Sequence, residues 1–168
     1  MAKSALEGKR VLVVDDEPDV LAILKEEILE AAPGCKFEMA ATYQGAAQKI
    51  KSQAYDVVIL DIMGVRGFDL LEFAVKRNFR VAMLTAHALS YEALNRSFKM
   101  GAMAYLPKEK LGEIVPFLED VLKHEYLLSW KSLMKKLKGF FDSKFESHWE
   151  KKTDLPWEEW GKFLRRMQ

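Results

Sequence analysis

Polar residues that could carry out chemistry together follow four short apolar runs of the chain. They are Asp15 and Asp16 after the first run, Asp61 at the end of the second, Thr85 at the end of the third and Lys108 after the fourth. Three carboxylates brought together repel one another, so such an arrangement is costly unless a cation is bound among them. Mg²⁺ prefers oxygen ligands and leaves room for water and phosphate oxygens. These residue types therefore predict a magnesium-binding acidic cluster.

The elements that would position these residues are strands that alternate with helices. Strands are predicted over residues 11–14, 37–41, 57–61, 80–85 and 102–106, and helices from 18 to 32, over 44–51, 68–76 and 91–100, and from about 113. Buried strands that alternate with amphipathic helices are typical of a parallel sheet with both faces covered. Right-handed crossovers wind such a sheet doubly and bring its ligands to the carboxyl ends of the strands. We therefore expect an α/β fold.

Composition narrows the class of protein further. Of the 168 residues, 49% are hydrophobic and 11% aromatic, which is enough apolar surface to form a core. The formal net charge of +1 gives no argument for nucleic-acid binding, and the single Cys35 excludes an internal disulfide. The N-terminus MAKSALEGKR lacks the apolar stretch of a signal peptide, and no run is long enough to span a membrane. We expect a cytoplasmic protein.

The turn after the first predicted strand argues against a dinucleotide-binding site. Such a site needs a glycine-rich turn whose backbone N–H groups receive a pyrophosphate. Here the turn reads Asp-Asp-Glu-Pro. Acidic side chains repel phosphate unless a metal ion lies between them, so nucleotide binding of that kind is not expected.

Four segments around the polar residues occur in a characteristic order. They are VLVVDDEP, which contains Asp15 and Asp16, then YDVVILD, which ends at Asp61, then LTAH with Thr85, and AYLPK with Lys108. Together they resemble the receiver domain of bacterial two-component response regulators, over about residues 8–123. The resemblance implies a flavodoxin-like, doubly wound five-stranded parallel sheet with the strand order 2-1-3-4-5.

The resemblance also implies a role for each residue of the cluster. Asp61 would accept a phosphoryl group from a sensor histidine kinase or a phosphotransfer protein. Asp15, Asp16, Asp61 and the backbone carbonyl of Met63 would hold Mg²⁺, which screens the anionic donor. Lys108 would neutralise the phosphoryl oxygens as they gain charge.

Thr85 and Tyr105 would form the switch that reports phosphorylation. In the family the threonine hydroxyl moves to the phosphoryl group, and the aromatic ring turns into the space that it vacates. The chain departs from the family pattern after the acceptor, where the loop is about two residues shorter. Gly64 and Gly67 in this loop would supply the backbone freedom for a tighter turn.

Beyond the resemblance, residues 124–168 read as a helical C-terminal extension of a receiver domain at residues 1–123. One helix is predicted from apolar residues at helical spacing, and a second from Asp154 onward. The first stripe contains Tyr126, Trp130, Leu133, Leu137, Phe140 and Phe141, and the second contains Trp157, Trp160 and Leu164. We expect these stripes to pack on the receiver itself or on a second copy in a homodimer.

Two other surfaces could take up the extension. A membrane surface or a partner groove is less favoured, and DNA is unlikely, because the ten basic residues of this segment are offset by seven acidic ones.

The favoured function is a phosphorylatable, Mg²⁺-dependent receiver that switches a protein-interaction surface for an unknown downstream protein and is not an enzyme beyond its own phosphorylation and dephosphorylation. One alternative is a degenerate receiver that binds partners without phosphorylation. The other is an aspartate-nucleophile phosphohydrolase. That class places a second acid two residues after the nucleophile, where this chain has Met63, so the hydrolase is the less favoured of the two.

Overall fold

A five-stranded parallel sheet with helices on both faces forms the core of the computed structural model, which describes residues 3–165 and their side chains through residue 161. The strands are β1 (Arg10–Val14), β2 (Lys36–Ala40), β3 (Val57–Asp61), β4 (Arg80–Thr85) and β5 (Ala104–Pro107). Their spatial order is β2-β1-β3-β4-β5, with every neighbouring pair parallel. The predicted doubly wound α/β fold and its strand order are confirmed.

Seven α-helices lie in the described part of the chain. They are α1 (Pro18–Ala31), α2 (Tyr43–Ser52), α3 (Gly67–Lys76), α4 (Tyr91–Lys99), α5 (Ile114–Lys123), α6 (Tyr126–Lys144) and α7 (Trp157–Arg165), with 3₁₀ helices at Lys108–Glu113 and Trp149–Lys152. Pro18 occupies the first turn of α1, where its missing N–H costs nothing. Pro116 falls in the first turn of α5 for the same reason.

The central strands are continuously apolar because helices cover both of their faces. All five residues of β3 are buried, as are all but the first residue of β1 and of β4. The edge strand β2 is exposed or half-buried over most of its length. The apolar pattern therefore places Asp61 and Thr85 at the ends of rigid, buried strands.

The extension folds back on its own sheet. Helix α6 packs against α5 and β5 and buries Trp130, Leu133, Leu137 and Phe141 of the predicted stripe. Tyr126 and Phe140, the other two residues of the stripe, are half-buried against the same core. Of the two surfaces expected for the stripe, the chain uses its own α/β domain.

The predicted start of the last helix is wrong by three residues. Helix α7 begins at Trp157, and Pro156 precedes it. Asp154 instead contacts α4, where its backbone N–H donates to Asn95 Oδ1 at 2.8 Å and its carboxylate accepts from Asn95 Nδ2 at 2.8 Å. Trp160 is buried as predicted, whereas the side chain of Leu164 lies outside the described residues. Across residues 3–165, none of the helices combines the length and the apolar character needed to cross a membrane.

Candidate functional site

Three aspartates meet at the carboxyl edge of the sheet. Asp15 and Asp16 follow β1, and Asp61 ends the neighbouring strand β3. One carboxylate oxygen from each lies within 4.8 Å of the other two. Asp15 and Asp61 are buried, whereas Asp16 is exposed at the mouth of the site. The structure therefore brings together the three predicted carboxylates.

Lys108 reaches the same cluster from the far side. Its Nζ lies 2.9 Å from Asp15 Oδ2 and 3.4 Å from Asp61 Oδ1, and its side chain is 8% exposed. It begins the 3₁₀ helix that follows β5, so the end of that strand sets its direction. The single ammonium group faces two buried carboxylates and leaves the cluster with an excess of negative charge.

Burial and mutual repulsion dominate the electrostatics of the cluster. Burial, and after it the charge of the Asp15 carboxylate, raise the pKa of Asp61 to about 6, although Lys108 offsets part of the shift. Burial opposes the charge of Lys108, but its ion pairs with the surrounding carboxylates outweigh this effect and raise its pKa. At neutral pH the lysine is therefore charged, and Asp61 is ionised at an energetic cost.

The polar atoms at the centre of the cluster fit a cation. Asp15 Oδ2 and Lys108 Nζ are close enough for an ion pair but are poorly aligned for a hydrogen bond. Among the described residues, neither atom has a well-directed hydrogen-bond partner. A buried carboxylate oxygen in that state is costly, and a metal ion would satisfy it. The donor set consists of carboxylate oxygens beside an open mouth, which suits Mg²⁺.

The loop after Asp61 is tight and depends on two glycines. Gly64 has a φ of +88°, and a Cβ at this position would lie 2.5 Å from Asp16 Oδ2. A Cβ on Gly67 would collide with the backbone carbonyl of Asp61. The predicted backbone freedom is thus used at Gly64, whereas Gly67 has no positive φ and instead permits close approach of the loop to the Asp61 backbone. Met63 lies within this loop, with its side chain half-exposed.

Thr85 and Tyr105 hold the loop that joins β4 to α4. Thr85 Oγ1 accepts a hydrogen bond from Ala88 N at 2.9 Å. The Tyr105 hydroxyl donates to the Ala88 carbonyl at 2.7 Å and accepts from Ser90 N at 3.0 Å. Its ring is completely buried and lies 5.9 Å from the ring of Phe141, centroid to centroid. The two predicted switch residues thus form hydrogen bonds with the backbone of the same short loop.

Two neighbours of the site were not predicted as site residues. Glu17 Oε1 lies 3.6 Å from Lys108 Nζ and 3.9 Å from His87 Nε2, at the rim of the cluster. The position of Glu17 beside the paired aspartates was a signal that could have identified it. Phe141 was predicted as part of an apolar stripe, but no sequence pattern linked it to Tyr105.

A family model and the similar curated proteins point to the same protein family. The family model for the response regulator receiver domain matches residues 11–118. The two-component response regulator ARR18 of Arabidopsis thaliana is 35% identical over 107 residues, which are 60% of this chain and 16% of that protein. ORR21 of Oryza sativa subsp. indica is 30% identical over 128 residues, which are 71% of this chain and 18% of that protein. The chain thus spans less than a fifth of these relatives.

Solved structures give the same result. Response regulator TrrA of Thermotoga maritima, in complex with Mg²⁺-BeF, has a TM-score of 0.58 and 33% identity, and the match covers 68% of this chain and 99% of that one. A CheY-like receiver domain protein of Methanospirillum hungatei has a TM-score of 0.53 and 28% identity, covering 81% and 95%. Residues 15–108, which contain the candidate site, lie within the range that the family model matches.

Proposed function

Because the chain belongs to the response regulator receiver family of two-component systems, we propose that Asp61 accepts a phosphoryl group in a Mg²⁺-dependent reaction. The observation that carries the proposal is the burial of Asp61 beside both the Asp15 carboxylate and the Lys108 ammonium group. A nucleophile in that position has an acidic cluster for a cation and a positive charge within reach.

In the proposed phosphoryl transfer, each residue of the cluster has a separate role. A carboxylate oxygen of Asp61 attacks the phosphorus of a phosphohistidine donor, the P–N bond breaks, and the departing imidazole takes a proton from solvent. Lys108 lies where it can pair with the phosphoryl oxygens, in place of the Asp61 carboxylate charge. Asp15, Asp16, Asp61 and the Met63 carbonyl would hold Mg²⁺, which would screen the donor's negative charge when bound.

Signalling then depends on Thr85 and Tyr105. A phosphoryl group adds acceptor oxygens near the end of β4, and the Thr85 hydroxyl is the group we propose to donate to one of them. Any such movement changes the loop that Thr85 and Tyr105 share. This is how a local charge change would alter a protein-interaction surface.

We propose residues 1–123 as the receiver and 124–168 as its helical extension, in a cytoplasmic protein that is not an enzyme beyond reactions at Asp61. Its donor would be a sensor histidine kinase or a phosphotransfer protein, and its target a downstream protein not yet named. A homodimer is a further partner to test. Membrane contact is not favoured, because the extension packs its apolar stripe on the receiver. DNA contact is not favoured either, because the ten basic residues of the extension are offset by seven acidic ones.

Intact mass after incubation with acetyl phosphate and Mg²⁺ tests the proposal. The wild-type chain should gain one phosphoryl group, chelator should prevent the gain, and Asp61→Asn should abolish it. Asp56→Asn, at the residue directly before the other end of this strand, is the matched control and should react like wild type. A gain that persists in Asp61→Asn would refute the assignment.

The degenerate receiver is the second candidate, and the shortened loop with Gly64 against Asp16 is the observation that favours it. A wild-type chain that takes up no phosphoryl group and does not bind Mg²⁺ would support it. The phosphohydrolase is disfavoured by Met63 at the position of the second acid.

A further inference from the structure

The ring of Tyr105 lies between the extension and the loop beside the candidate site. Its hydroxyl is bonded to Ala88 O and Ser90 N at 2.7 and 3.0 Å, and Ser90 in turn caps α4 by accepting from Ala93 N. Because these bonds come from a fully buried ring, a shift of Tyr105 would break them and move the loop. The position of the Tyr105 ring and the conformation of the loop are therefore coupled, so that a change in one changes the other.

The same loop is tied to the site by Thr85. This residue ends β4, directly after the pairing of Leu84 with Asp61, and its Oγ1 accepts from Ala88 N at 2.9 Å. A hydroxyl that accepts from a backbone N–H keeps its own proton for donation to another group. The observed loop thus leaves the Thr85 proton available to an oxygen bound at Asp61.

Phe141 closes the other side of Tyr105. The two rings lie 5.9 Å apart, and Phe141 is completely buried. It stacks on Phe145 at 5.3 Å and meets the edge of Trp149 at 6.1 Å, so neighbouring aromatic rings hold it in place.

The helix that carries Phe141 is anchored on the receiver. Trp130 Nε1 donates to Ala102 O at 2.7 Å and Ser129 Oγ donates to Met103 O at 2.8 Å, both in buried surroundings. These bonds fix α6 along β5, the strand that carries Tyr105. Phe141 therefore acts on Tyr105 from a rigid support.

We propose that Phe141 is a positioning residue for phosphorylation of Asp61, and that it favours the phosphorylated form by holding Tyr105 against the loop. The inference rests on the proposed function and names the regulation of that same site. Its thermodynamic consequence is reciprocal: if the docked extension stabilises the phosphorylated form, phosphorylation stabilises the docked extension by the same factor. The extension would then be an internal effector of the receiver as well as a cover for its apolar surface.

The affinity for beryllofluoride in saturating Mg²⁺, measured by calorimetry on the full chain, tests the proposal. This ion would stand in for the phosphoryl group on Asp61. Phe141→Ala should weaken its binding by about two- to thirtyfold, and Phe141→Leu, which keeps an apolar contact with Tyr105, should restore most of the affinity. Trp160→Ala is the matched control, because Trp160 is also buried in the extension but has its ring contact with Trp157, and no ring contact with Tyr105 is found among the described residues.

A second measurement separates positioning from a general loss of stability. Hydrogen exchange of the α6 amides should slow when Mg²⁺ and beryllofluoride are added to wild type, and this response should be lost in Phe141→Ala and kept in Trp160→Ala. Equal affinities in wild type and Phe141→Ala, or equal losses in Phe141→Ala and Trp160→Ala, would overturn the inference and leave the proposed function standing. A wild-type chain that binds no beryllofluoride would overturn both.

Discussion

Replacing Asp61 by Asn should stabilise the metal-free protein. Asp61 is buried beside Asp15, and its pKa rises from 3.8 to about 6, chiefly because burial penalises its charged form. Asparagine has nearly the same shape and no charge. The variant therefore removes a group that the folded chain accommodates poorly at neutral pH when no cation is bound.

The size of the stabilisation by Asp61→Asn, and the pH range over which it appears, follow from the shift in the pKa of Asp61. Each unit of pKa difference corresponds to about 1.4 kcal/mol, so a rise from 3.8 to about 6 amounts to about 3 kcal/mol. Because the folded-state pKa is raised, the penalty is absent below the unfolded value, develops as the pH rises towards 6 and is complete above it. Loss of an ion-pair partner for Lys108 offsets part of the gain, so we expect about 1 to 3 kcal/mol above that range.

Urea denaturation in chelator at about pH 8 and about pH 4 measures the difference. Asp61→Asn should be more stable than wild type at the higher pH, with little difference at the lower one. Asp16→Asn, in the exposed member of the cluster, should gain less. Excess Mg²⁺ should stabilise wild type by mass action and narrow the gap. A variant that is less stable than wild type in chelator at about pH 8 would refute this account of the cluster.

Three further changes test other parts of the structure. Trp130→Ala should lower the free energy of unfolding by about 3 to 5 kcal/mol in urea melts, because the residue is fully buried; an unchanged midpoint would contradict the docking of α6. Cys35 should react slowly with a thiol reagent until the chain is unfolded, because burial raises its pKa to about 11; rapid reaction of the native protein would contradict its burial. Gly64→Ala should weaken Mg²⁺ binding about tenfold in calorimetry by displacing Asp16, whereas Gly112→Ala, which faces open space, should leave it unchanged.

The sequence predicts the central strands better than the edge strands, for a physical reason. Strands β1, β3 and β4 are covered on both faces, so their apolar runs predict their structural limits, apart from Arg10 at the start of β1. The fifth strand was predicted from Ala102, but it begins at Ala104. The carbonyls of Ala102 and Met103 instead accept hydrogen bonds from side chains of α6. Contacts with α6 thus coincide with the start of β5, and the residues around Ala102 alone do not predict such contacts.

The membership of the acidic cluster was predictable, but its electrostatics were not. Parallel strands end at one edge of the sheet, so alternation alone brings Asp15 and Asp61 together. Which carboxylate bears the cost of burial depends on the turns that cover the strand ends. The structure leaves Asp16 exposed and buries Asp61, and this difference decides which substitution should stabilise the metal-free chain.

The position of the extension follows from the short connection before it. Only residues 124 and 125 separate α5 from α6, so α6 must turn back beside α5. There it meets β5, an edge strand that has no further strand beside it among the described residues. An open edge exposes backbone groups, and the side chains of Ser129 and Trp130 satisfy two carbonyls just before β5. These two hydrogen bonds therefore fix where the apolar stripe of α6 packs on the receiver, and in that position Phe141 contacts Tyr105.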